Sequence, residues 1–277
     1  MKSELWITEK QTEDLLMSFR VKNTLHEEIT DFQQLAVVDT YAYGRMLMLD
    51  NIVMTTIKDE FVYHEMLSLV PLNTHPNPEN VLVIGGGDGG AVREIVRHPK
   101  VKQVTLVEID EKVIVNSKKY LPEIAAAFDN PKLRLIVADG IKHIQENHNK
   151  YDVILVDSTD PIGPAVGLFA LDFYRDVYAA LKEDGIMAAQ TESPYLHDKI
   201  IKQIHSDLKS LYPLVKLYLA SIPTYPTGLW SFTLASKKHD PLLVKQDDIQ
   251  DMPTRYYNSK IHFSAFALPN FLANILE

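Results

Sequence analysis

Short apolar runs separated by turn-forming residues open the chain. Leu5-Trp6-Ile7, Leu35-Ala36-Val37-Val38, Met46-Leu47-Met48-Leu49 and Ile52-Val53-Met54 carry strand formers, with breaks at Tyr43-Gly44 and Asp50-Asn51. The pattern predicts a small antiparallel sheet before about residue 57. A helical stretch from Asp59 to Val70 then leads into Asn73-Thr74-His75-Pro76-Asn77-Pro78, a loop composition suited to a boundary between units. From Asn80 onward, strand-like runs at 81–84, 103–107, 133–137, 153–156 and 186–190 alternate with amphipathic segments such as 111–120 and 170–182. That alternation predicts a mostly parallel sheet covered by helices. After a helix near 197–211, the runs Val215–Ala220 and Leu229–Ala235 follow one another with no helix between them, predicting an antiparallel hairpin at one edge. The expected fold is α/β: an N-terminal β-domain over 1–57 and a Rossmann-like domain over 58–277.

Composition narrows the function classes. A chain of 277 residues, 46% of them hydrophobic, buries a substantial core. It has no cysteine, which removes disulfides, thiol catalysis and thiolate metal sites. The start Met-Lys-Ser-Glu-Leu-Trp lacks the pattern of a secretory leader, and no apolar run approaches the ~18 residues of a membrane span. A cytoplasmic protein without membrane contact is expected. Thirty-seven acidic against 28 basic residues, a net charge of −9, argue against nucleic acid and favour a cationic ligand.

The run Val81-Leu82-Val83-Ile84 passes directly into Gly85-Gly86-Gly87-Asp88-Gly89-Gly90, before a predicted helix. Glycines there permit positive φ and close approach of a ligand to the backbone, and the helix start offers free amides. The loop reads as a nucleotide or nucleoside site. Gly85, Gly87 and Gly90 satisfy the dinucleotide fingerprint, and Glu108, ~20 residues on, sits where an acid can hold a ribose diol, so the loop alone leaves NAD and adenosylmethionine both open. Asp139-Gly140 ends the third parallel strand, where a carboxylate and an adjacent amide can read an adenine edge. Asp88 fits a cation better than a pyrophosphate, which it would repel. Its simpler role is to cap the following helix.

Asp157-Ser158-Thr159-Asp160-Pro161-Ile162-Gly163-Pro164 follows the buried run Val153–Val156. Ligands of open α/β sheets sit beyond the carboxyl ends of the strands, at the switch point between the first and fourth strands here. Asp88, Asp157 and Asp160 are therefore expected to converge at one crevice, and three carboxylates there require positive charge. A metal is one candidate. Magnesium held by carboxylates usually serves phosphates, however, and the chain has no helical His pair, so an amine or a sulfonium fits better and no metal is expected.

The late hairpin resembles the sheet of adenosylmethionine-dependent methyltransferases. Taken together, Gly-Gly-Gly-Asp-Gly-Gly at 85–90, Val-Glu-Ile-Asp at 107–110, Ala-Asp-Gly at 138–140 and Asp-Ser-Thr-Asp-Pro-Ile-Gly-Pro-Ala at 157–165 resemble the polyamine aminopropyltransferases, the bacterial spermidine synthases most closely. The likeness covers essentially the whole chain. It implies transfer of an aminopropyl group from decarboxylated S-adenosylmethionine, a co-substrate rather than a bound cofactor, to putrescine. By it, Glu108 binds the ribose hydroxyls, Asp139 and Gly140 the adenine, and Gln33 and Pro164 the nucleoside. Asp88 holds the aminopropyl ammonium, while His64, Asp157 and Asp160 line the amine channel with Asp157 as catalytic base. Tyr63, Gln190 and Tyr225 belong to the channel wall. The likeness also implies a homodimer or homotetramer.

Read on their own, several of these residues have plainer roles: His64 on a helix surface, Gln33 on an exposed strand and Trp230 in the core. Lys237-Lys238 and Gln246-Asp247-Asp248 read as solvated loops. Rival functions are a putrescine N-methyltransferase using intact S-adenosylmethionine, a nucleoside-binding regulatory protein without turnover, and an NAD oxidoreductase.

Overall fold

A computed structural model describes residues 4–160 and 163–276, with 163 and 164 described by backbone alone. The N-terminal region is a five-stranded antiparallel meander of β1 (Leu5–Thr12), β2 (Leu15–Ile29), β3 (Gln34–Thr40), β4 (Gly44–Leu49) and β5 (Ile52–Thr56). The long β2 is absent from the sequence pattern for a physical reason. Its register shifts between Val21 and Asn23 and again between Thr24 and His26, so inward and outward positions lose their period of two.

Helix α1 (Glu60–Thr74) follows, buried on nearly every side. It does not stop at Val70 as the sequence suggests, but passes through Pro71 to Thr74. An interior proline costs roughly 3 kcal/mol in an isolated helix, and complete burial of Leu67, Leu69, Val70 and Leu72 outweighs that local preference. Asn73 Nδ2 and Thr74 Oγ1 donate to the carbonyls of Leu69 and Val70, so the loop composition at 73–74 serves the end of the helix.

The second region contains β6 (Asn80–Gly85), α2 (Gly90–Arg97), β7 (Gln103–Glu108), α3 (Glu111–Tyr120), β8 (Leu133–Val137), α4 (Gly140–Gln145), β9 (Tyr151–Asp157), α5 (Leu171–Ala180) and β10 (Leu181–Gln190). It continues with α6 (Asp198–Lys209), β11 (Leu214–Ser221), β12 (Leu229–Ser236), α7 (Ser259–Ser264) and α8 (Asn270–Leu276). The seven strands lie in the order β11-β12-β10-β9-β6-β7-β8, with β12 antiparallel to both its neighbours and the five strands from β10 to β8 parallel. This is a Rossmann-like sheet with an antiparallel hairpin at one edge. Strand β10 begins at Leu181, inside the segment expected to be helical, because Leu181 already pairs with Tyr151 of β9; the register then shifts before pairing resumes at Ile186.

Alternate residues of the central strands feed two cores. Val81, Val83, Val153 and Leu155 pack with α1 and α2 on one face, while Leu82, Ile84, Ile154 and Val156 pack with α5 and α6 on the other. Glu65 of α1 accepts the backbone amides of Arg255, Tyr256 and Tyr257, each at 2.8 Å, and so ties the C-terminal segment to the first core. No helix among the described residues is long and apolar enough to cross a membrane.

Candidate active site

The carboxyl ends of β6, β7, β8 and β9 surround a cavity of about 1040 Å³, closed on the far side by Gln33, Leu47, Leu49 and Met54 of the N-terminal sheet region. Gly86 sits at φ +73°, and a Cβ there would lie 2.5 Å from Asp157 Oδ2. Only glycine lets the β6 loop and the end of β9 come this close. Gly90 opens α2 against His64, whose ring occupies the space a side chain would take.

Glu108 ends β7 buried, accepting the Gly87 amide on Oε2 at 3.1 Å and the Asp110 amide on Oε1 at 2.8 Å. Burial pushes its carboxyl up to about 7, against the lowering effect of those amides. Asp139 caps α4 through the Ile141 amide at 2.9 Å, and with Gly140 it lines the same cavity. Gln33 lies in the loop before β3 rather than on a strand, half-buried. Its Nε2 donates to Asp110 Oδ2 at 2.9 Å, beside a 2.8 Å bond from Thr30, so one carboxylate joins the two regions above the cavity.

His64 is not a surface histidine. It is buried, with Nδ1 2.6 Å from Glu60 Oε2 and Nε2 3.3 Å from Asp88 Oδ2. Burial alone would lower its pKa, but the carboxylates of Asp88 and Glu60 outweigh burial and hold the ring well above its usual value, as an imidazolium. Arg93 neutralises the far side, donating to both Glu60 oxygens at 2.9 and 2.8 Å. Asp88 is kept below its usual value despite burial, chiefly by His64, and also caps α2 through the Gly90 amide at 2.8 Å. Both sequence readings of Asp88 are therefore compatible with one side chain.

Asp157 ends β9. Its Oδ1 accepts from the Tyr63 hydroxyl at 2.6 Å, and its Oδ2 is buried with no hydrogen-bond partner among the described residues. Burial, then the charge of Asp88, raises the carboxyl to about 6, with His64 and Tyr63 opposing. Asp160 does not join Asp88 and Asp157 in the large cavity. It lines an adjoining one of about 330 Å³ with Tyr63, Gln190, Tyr225 and Trp230. Tyr63 and Tyr225, with ring centres 5.6 Å apart, line both cavities. The Tyr225 hydroxyl donates to the Met54 carbonyl at 2.6 Å. Trp230 is a core residue, as expected, and also lines the smaller cavity.

Sequence reasoning missed two acids here. Burial, then Glu192, raises Asp160 to about 7, with Glu9 adding to the effect. Glu192 is buried at φ +74° and takes a 3.3 Å hydrogen bond from Gln190 Nε2. Its Oε2 lies 3.2 Å from His197 Nδ1. Glu9 on β1 is buried, accepts the Val53 amide at 3.1 Å and is raised by burial to about 7. Glu192 follows the strand-end Gln190 by two residues, a signal that was available; Glu9 carries none in the sequence. Pro164 is described by its backbone alone, so the contact expected of its side chain lies outside what is described.

Comparison with known proteins gives the family. The profile of the spermine/spermidine synthase domain matches residues 60–247, and that of the spermidine synthase tetramerisation domain matches residues 5–56. The chain belongs to the spermine/spermidine synthase family. A polyamine aminopropyltransferase of Moorella thermoacetica is 58% identical over 273 residues, covering 99% of this chain and 96% of the relative. One from Bacillus cereus is 55% identical over 274 residues, 99% of this chain and all of the relative. The solved spermidine synthase of Thermotoga maritima superposes with a TM-score of 0.93 at 37% identity, covering 99% of this chain and 95% of that one. A spermidine synthase in complex with the transition state analogue AdoDATO gives 0.94 at 38% identity, covering 98% and 94%.

Proposed function

We propose that the protein is a spermidine synthase, moving the aminopropyl group of decarboxylated S-adenosylmethionine to putrescine and releasing 5'-methylthioadenosine. The observation that carries this reading is the free Oδ2 of Asp157, buried in the wall of the cavity shared with Glu108 and Asp139, next to the smaller cavity lined by Asp160. Glu108 takes the ribose hydroxyls, Asp139 and Gly140 the adenine, and Gln33 and Pro164 cover the nucleoside. Asp88, backed by the His64 imidazolium, receives the aminopropyl ammonium. An intact donor brings a carboxylate to the same place, where Asp88 opposes it.

Putrescine enters through the smaller cavity, lined by Tyr63, Tyr225 and Gln190. Asp160 holds its far ammonium, with Glu192 and Glu9 behind it, and the protons that Asp160 and Glu9, each raised to about 7, partly retain at neutral pH leave when that charge arrives. The near amine attacks the methylene carbon beside the sulfonium, and methylthioadenosine departs. An alkylamine of pKa about 10.4 is neutral in only ~1 of 10³ molecules at pH 7, a deficit of roughly 4 kcal/mol. Raising Asp157 to about 6 narrows the ~6-unit gap between aspartate and alkylammonium by about two units. The donor sulfonium lowers the amine from the other side.

The match to a tetramerisation domain supports a homo-oligomer. Leu5, Trp6, Leu16 and Ile29, each more than half exposed on β1 and β2, supply an apolar surface for it. A cytoplasmic location is part of this reading. The deciding experiment is mass spectrometry of products from putrescine with decarboxylated or intact donor. Spermidine and methylthioadenosine are expected with the decarboxylated donor alone; methylputrescine from the intact donor would overturn the donor assignment.

A further inference from the structure

At the opposite edge of the large sheet, three side chains meet that the reaction does not use. His75 follows α1, Asp184 lies near the start of β10, and His239 follows β12. Gln190 at the other end of β10 and Trp230 near the other end of β12 line the smaller active-site cavity, and eleven residues of chain, ~16 Å of helix, separate His75 from His64. One ligand atom from each of the three residues falls within 4.8 Å of the other two. His75 Nε2 is 3.5 Å from Asp184 Oδ1, and His239 Nε2 is 3.0 Å from Asp184 Oδ2. Ligands of a tetrahedral zinc ion lie roughly 3.3 Å apart, and each imidazole stands near that spacing from one of the two Asp184 oxygens.

A second observation points to a ligand. His75 is 3% exposed, and its Nε2 is buried with no hydrogen-bond partner among the described residues. The atom faces Asp184 beside a cavity of about 1110 Å³ lined also by His98, His239, Lys238 and Asp240. We infer that His75, Asp184 and His239 form a binding site for a first-row divalent cation of the zinc class, with the fourth position open to water. Two imidazoles and one carboxylate are a donor set suited to zinc and poorly suited to magnesium or calcium.

The Asn77 amide donates to His75 Nδ1 at 3.1 Å, which places the ring proton on Nε2. Cation binding moves that proton to Nδ1, and the amide of exposed Asn77 turns to water, losing one neutral hydrogen bond. The site is remote from the reacting groups, so its role is to clamp α1 to the hairpin edge.

Calorimetric titration of chelator-stripped protein with zinc chloride, together with metal analysis after gel filtration, tests the site. One zinc per chain is expected. His239→Gln and Asp184→Asn change half-buried positions, so the fold, checked by circular dichroism, survives. Each should weaken zinc by at least the roughly 10–100-fold that loss of an outer-shell partner costs, with aminopropyl transfer unchanged. No binding by the parent protein would overturn the proposal, leaving His239 hydrogen-bonded to Asp184 and His75 Nε2 merely facing it. Equal affinity in both variants would overturn it too, because the zinc would then lie elsewhere.

Discussion

Asp157 divides its carboxylate between two tasks. One oxygen is held by Tyr63 and the other is free, which orients the group while leaving a lone pair for an incoming proton. Asp157→Asn keeps the shape and removes the carboxylate proposed as the base. Turnover should fall by more than ~10²-fold, while equilibrium binding of methylthioadenosine stays within a factor of a few. Because the base works only when ionised, kcat/KM should rise with pH through about 6 and level above it. The Tyr63 hydroxyl favours the ionised form, so Tyr63→Phe should move this acid limb to higher pH. A pH profile of both proteins checks the sign. His64 shows how far a residue's meaning depends on its neighbours: a histidine in Tyr-His-Glu looks like a surface group until Glu60 and Asp88 are seen on its two nitrogens.

At the scale of the element, α1 organises the protein. Its first turns present Tyr63 and His64 to the site, its buried sides fill one core, and Glu65 anchors a distant segment through three amides. Glu65→Ala leaves three backbone donors without their acceptor, of which the Tyr257 amide is buried. A buried unsatisfied donor costs about 1–3 kcal/mol, and a loss of that size should be read as a lower urea midpoint. The helix also shows where local reading fails. Proline at 71 and a run of turn formers after it describe a loop, and burial overrides them. By contrast, β6 and β9 are legible because a strand buried on both faces is a continuous apolar run, whatever surrounds it. Strand β2 is illegible because its two bulges erase the alternation by which a half-buried strand is recognised.

At the scale of the whole molecule, the large cavity exists because the N-terminal meander closes over the Rossmann-like sheet. Asp110 joins the two by accepting from Thr30 and Gln33 while capping α3. Asp110→Ala removes both cross-region bonds. A charged hydrogen bond is worth about 1.5–3 kcal/mol, so methylthioadenosine affinity should weaken by at least ~10-fold with the fold intact, measurable by calorimetry. The sequence by itself determined the parallel sheet and the residues at its carboxyl edge: the glycine loop after β6, Glu108, Asp139 and Asp157. A strand and the loop leaving it are neighbours in the chain, and their chemistry is written locally. Only the tertiary structure decided that Asp160 faces a separate cavity and feels the charge of Glu192 and Glu9, that His64 is an imidazolium, and that Tyr63 meets Asp157. The Tyr63–Asp157 contact spans 94 positions of sequence. Nothing local distinguishes an acid bound for such a contact from one that ends in water. Burial sets the charge of these groups, and burial is a property of the assembled chain.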